Sequence, residues 1–251
     1  MSEQWLYWVV VAGTLLVLAR LAREGLYPVY RFFFAFLAAD LLRTLASMVV
    51  PGRRSVYAYF YVASTAAMLV LNFLVLRELY RHALAPYPGI ARAGRYALYG
   101  GAAAAAAITL ASAGLDFSNP AEKYPLLRAI LAAQRGVLSI LLLLLIGISA
   151  FLAWFPVRVR KNLVYYLIGY AVLFVGEGGL LVLRNRLGAG TTAAVNILRP
   201  ILWSGCMLFW FMTLRRSGED LMVDTGHGWN EAEAANLRKQ LNAINEALMR
   251  R

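Results

Sequence analysis

The side chains best able to do chemistry in this chain are charged and amide groups set inside long apolar stretches. They are Asp40 and Arg43, Gln134 and Arg135, Glu177, and Asn196 and Arg199. An Asp or Arg at the centre of a membrane helix costs about 2.5–3.5 kcal/mol on the insertion scale. Such a residue therefore faces protein or a water-filled cavity. Three readings stand side by side. In the first the charges are structural pairs: Asp40 and Arg43 share a helix face at i, i+3, Glu177 meets Arg199 from the next helix, and Arg135 bonds Gln134 or backbone carbonyls. In the second they line an outward-facing pocket for a small anionic or polar ligand. Three arginines against two carboxylates supply the attraction there, and the guanidinium fork suits carboxylate or phosphate. In the third they form an ion- or proton-coupled pathway with Glu177 or Asp40 as carrier.

Other chemistry is thinly represented. Glu78 and His82 stand one turn apart, but a metal centre needs more ligands than this pair. The second histidine is His227, and Cys206 is the single cysteine, so no internal disulfide can form. The three lysines, Lys123, Lys161 and Lys239, all lie outside the apolar stretches, which excludes a retinal Schiff base. No Walker loop, GxSxG or HExxH occurs. A non-catalytic protein without cofactor or metal is expected.

The composition says what must position these groups. With 61% hydrophobic and 15% charged residues, the chain departs from a soluble domain at roughly 45–50% and 25%. The surplus apolar surface must face lipid. Seven stretches match the roughly 20 residues of a spanning helix: about 5–22, 28–50, 56–78, 95–114, 127–155, 162–184 and 191–213. Turn residues separate them, as at Pro51-Gly52, Pro86-Tyr87-Pro88-Gly89 and Gly188-Ala189-Gly190. The fold expected is all-α: a polytopic seven-transmembrane-helix bundle over 1–216, a linker over 217–230 and a short amphipathic helix over 231–251. The first stretch lacks a basic region before it and reads as a span rather than a leader.

Of the 25 Lys and Arg, sixteen fall on one side of these spans and in the tail, and six on the other. By the positive-inside rule the C-terminus is cytoplasmic and the N-terminus outside. The net charge of +12 then answers anionic lipid headgroups, not nucleic acid. Trp5 and Trp8 fit an outer aromatic belt, and Trp154 and Trp210 an inner one. The same topology sets Arg43, Arg135, Glu177 and Arg199 in one layer about 10–12 Å below the outer surface, with Asp40 a turn deeper. Gly176, Gly178 and Gly179 flank Glu177, allowing a bend or a close helix contact.

In the tail, Asn230 has N-cap character, with Glu231 and Glu233 in the first turn. Leu237, Leu241, Ile244 and Leu248 form a heptad stripe. It can lie on the membrane, dock on the bundle, or join a second copy or a protein partner.

Three strings carry a resemblance: Tyr30-Arg31-Phe32-Phe33-Phe34-Ala35-Phe36, Tyr57-Ala58-Tyr59-Phe60-Tyr61, and Glu78 through Gly89 (ELYRHALAPYPG). Together they resemble a group of uncharacterised bacterial seven-helix integral membrane proteins. That resemblance implies the architecture and a bacterial inner (plasma) membrane, and no activity. A receptor or sensor, a small-solute or proton-coupled transporter, and an accessory subunit of a larger membrane complex all remain as functional classes.

Overall fold

A computed structural model describes the backbone of residues 4–49, 54–116, 125–187 and 192–250. The described chain is mostly helical. Seven long helices come first: α1 (Gln4–Arg23), α2 (Arg31–Val49), α3 (Arg54–Ala83), α4 (Pro88–Asp116), α5 (Pro125–Trp154), α6 (Lys161–Leu187) and α7 (Thr192–Thr213). A short strand β1 (Arg158–Arg160) precedes α6, and α8 (Ser217–Asp220), β2 (Met222–Asp224) and α9 (Glu231–Met249) follow α7. β1 pairs with β2. Prolines open α4 and α5, where the missing N–H is one the helix could not use.

Among the described residues, five helical stretches are long and apolar enough to cross a membrane: Trp5–Arg23, Tyr59–Ala83, Gly136–Trp154, Lys161–Leu180 and Ala194–Thr213. The expected seven are met in part. The second expected span coincides with α2, which packs Arg31, Asp40 and Arg43 into 19 residues. The fourth falls on α4, where much of the alanine run lies outside the described side chains. α3 also runs further than 56–78, because Leu79 and Ala83 beyond Arg77 are buried and extend its packed face.

The chain divides into two compact units, Met1–Thr44 with Val159–Val223, and Leu45–Arg158 with Asp224–Arg251. In the first, α7 packs on α1 and on α6. Its centre is aromatic. Phe33 of α2 lies 4.5 Å from the Tyr166 ring and 4.8 Å from Trp210, and Tyr170 closes on Phe36 at 5.9 Å. Trp210 is fully buried. This corrects its expected place in an aromatic belt: Gly169 opens a slot on α6 into which the indole fits. Trp5, Trp8 and Trp154 are exposed.

In the second unit, α5 packs on α3 and α4, and α9 packs on α4. Asn230 caps α9 through a capping box: its side chain accepts from the Glu233 N–H, and the Glu233 carboxylate reaches back to the Asn230 N–H. The stretch 217–230 is more than the expected linker. Thr225 donates backbone N–H and hydroxyl bonds to the Val157 carbonyl, and Trp229 Nε1 donates to the Trp154 carbonyl at 2.8 Å. Arg238 bonds Asp224 and the Pro156 carbonyl. Arg238 also offsets in part the upward push that burial gives the Tyr87 phenol.

The face α9 turns inward differs by one position from the predicted stripe. Leu241 is buried and Leu237 and Leu248 are half-buried, but Ile244 is 51% exposed. Asn245 takes the inward place. Its Oδ1 accepts from the Gly89 N–H at 2.6 Å and the Ile90 N–H at 3.4 Å, closing the first turn of α4 from outside that helix. A Cβ at Gly89 would collide with the Asn245 carbonyl, so only glycine permits this approach. Asn245→Ala should therefore cost about 1 kcal/mol. It should also raise the rate of trypsin cleavage after Arg238 and Lys239, measured on the purified full chain. An unchanged cleavage rate would argue against α9 being held there.

Candidate functional site: a charged cluster on α2, α6 and α7

Four of the singled-out residues come together in the first unit. Arg199 Nε donates to Glu177 Oε1 at 2.8 Å, forming an ion pair between α7 and α6. Trp203, one turn further along α7, donates its Nε1 to the same oxygen at 2.6 Å. Arg43, Arg199 and Glu177 all lie within electrostatic reach of Asp40. No hydrogen bond or ion pair to the Asp40 carboxylate is formed among the described residues. The Glu177 side chain is 24% exposed and that of Arg199 50%, so the pair is not sealed in the core.

Local sequence explains this arrangement. Gly176 lets Leu202 of α7 settle against α6, since a Cβ there would strike the leucine side chain. The close contact brings Arg199 and Trp203 within reach of Glu177, while Gly178 and Gly179 face open space. Pro200 sits inside α7. It has no N–H to give to the Asn196 carbonyl four residues back, which loosens the turn that carries Arg199.

Among the described residues, none of the remaining expected members is joined to this cluster by a hydrogen bond or ion pair. Asn196 is exposed. Gln134 is half-buried on α5, in the second unit, and the side chain of Arg135 lies outside the described residues. The described part of the cluster holds two guanidiniums, Arg43 and Arg199, and two carboxylates, Asp40 and Glu177; the expected third arginine, Arg135, lies outside the described side chains. Glu78 is buried and His82 half-buried on α3. No group of three or more His, Cys, Asp or Glu able to hold a metal forms among the described residues.

A second polar centre was missed by sequence reasoning. Glu219 of α8 is buried, and its Oε1 accepts from Tyr30 Oη at 2.6 Å and Asn162 Nδ2 at 2.8 Å. Its Oε2 pairs with Arg160 Nη1 at 2.8 Å. Asn162, fully buried, also donates to the Arg215 carbonyl. This latch ties the residue before α2, strand β1, the start of α6 and the segment after α7 to α8. Ser-Gly-Glu-Asp at 217–220 looks like linker in sequence, and only the burial of Tyr30 and Asn162 makes its glutamate structural. Nearby, Arg20 Nε bonds the Leu214 carbonyl, and its guanidinium lies 4.9 Å from the Phe211 ring.

No family model matches the chain, and neither a curated protein nor a solved structure matches it.

Proposed function

We propose that this is a seven-span protein of a bacterial inner membrane, N-terminus outside and C-terminus cytoplasmic. In this reading it is a non-catalytic receptor or sensor. Asp40, Arg43, Glu177 and Arg199 hold its small polar ligand in the outer half of the membrane. The positive-charge asymmetry and the resemblance noted above support the topology and the membrane.

One observation carries the ligand reading. Asp40 sits in the field of three charged neighbours yet receives no hydrogen bond among the described residues. A carboxylate left without a donor in a low-dielectric setting is costly, and a bound donor relieves that cost. The balanced charge favours a molecule bearing both an ammonium or similar donor and an acidic group over a plain anion.

The test is thermal unfolding of the purified full chain with glycine, glutamate, succinate or inorganic phosphate. At about 100 times Kd a ligand adds about 2.7 kcal/mol, which is roughly 5–10 °C in Tm. The amino acids should stabilise the wild type, and Asp40→Asn should abolish the shift while leaving the unliganded Tm nearly unchanged. If no compound acts and Asp40→Leu raises the Tm, the cluster is structural. Uptake of the stabilising compound into proteoliposomes, lost on Glu177→Gln, would turn the sensor into a transporter.

A further inference from the structure

The second unit contains an apolar crevice of about 200 Å³ between α3, α4 and α5. Leu69, Phe73, Leu98, Ile140, Leu141 and Leu144 line it, with almost no polar surface. It exceeds the apolar cavity of about 150 Å³ that takes a benzene molecule. Its outer side is open, and Val70 on its wall is exposed. Its apolar walls offer water no hydrogen-bond partners.

Its chemistry changes abruptly at one end. The Phe73 and Tyr99 rings meet at 5.8 Å, fixing α3 against α4 there. Arg77 follows Phe73 by four residues, and Arg95 precedes Leu98 by three and Tyr99 by four. Because α3 and α4 are joined by the short turn at 84–87, they run in opposite directions and both spacings point to the same end. Each arginine thus lies on the helix face of its lining residue, about 5–6 Å beyond it. Both are exposed, as are Arg81 and Arg92 on the next turns.

From this geometry we infer a binding site for an anionic phospholipid. A stretch of one acyl chain fills the crevice and the phosphate rests on Arg77 and Arg95. The apolar walls select a hydrocarbon chain, and two guanidiniums at its mouth select a charged headgroup. A protein helix is too wide for a slot of this volume, and a free phosphate would leave the apolar part empty.

The experiment uses the full chain in bilayer discs of equal phosphatidylglycerol and phosphatidylcholine with identical chains. Lipids retained after graded detergent washing are counted by native mass spectrometry. Phosphatidylglycerol should be retained in preference by at least about tenfold. Arg77→Gln with Arg95→Gln should bring that ratio close to one, and Ile140→Trp, which fills the crevice, should remove the retained lipid of either kind. The arginine result stands alone if Ile140→Trp fails to fold. Equal retention of the two lipids by the wild type would overturn the site, as would an unchanged preference in the double variant. Displacement of the retained lipid by millimolar inorganic phosphate would also overturn it, since the acyl chain would then contribute nothing.

Discussion

Glu219→Ala should lower the stability of the protein by about 3–5 kcal/mol, the cost of leaving buried polar partners uncompensated. For a chain of this size that is roughly 6–20 °C in Tm, read by thermal unfolding of the purified protein. The argument rests on what remains. Tyr30 Oη and Arg160 lose the carboxylate they share, and Asn162 keeps its bonds to the Arg215 carbonyl and N–H but loses Glu219. Tyr30 and Asn162 are too buried to turn to water. Glu219→Gln preserves one acceptor oxygen and should cost about half as much, with Arg160 then facing an amide. A Tm within a degree of wild type for Glu219→Ala would show that the latch contributes nothing to folding.

An effect of similar size is expected from Gly169→Val. Even a Cβ at this position would collide with Trp210 Nε1 and come within 2.7 Å of its Cε2. The indole has no room to retreat, because Phe33, Tyr170 and Tyr166 stand at 4.8, 6.2 and 6.5 Å. Overpacking a dense core costs about 1–3 kcal/mol and sometimes more; a branched side chain here belongs at the upper end. Trp210 Nε1 has no hydrogen-bond partner among the described residues, so a smaller ring sacrifices no bond. Trp210→Phe should therefore recover part of the loss in the double variant, a coupling that a double-mutant cycle measures. Additive losses would place the strain elsewhere.

Helix positions were legible in the sequence because lipid permits one backbone solution, and apolar length reports it directly. The stretches at 5–22, 162–184 and 191–213 fall within a few residues of α1, α6 and α7. The pairing of Glu177 with Arg199 was legible for a related reason: two opposite charges at one depth on consecutive helices have few other places to go. Rotation about the helix axis was not legible. It decided that Asn245, not Ile244, faces α4, and that Trp210 is core rather than belt. The Glu219 latch was hidden because a polar tetrapeptide after a span carries no sign of what will bury it. Asp40 could be placed by depth, but not its lack of a donor, which depends on side-chain directions across α2, α6 and α7.

The first unit is assembled from the two flanks of residues 45–158. At about 5–20 residues per second, α1 and α2 leave the ribosome roughly ten seconds before α6 and α7. Through that interval Asp40 and Arg43 must tolerate their surroundings without Glu177 or Arg199, and Phe33 without the rings of Tyr166 and Trp210. Their i, i+3 spacing on one helix lets Asp40 and Arg43 each screen the other while the nascent chain waits.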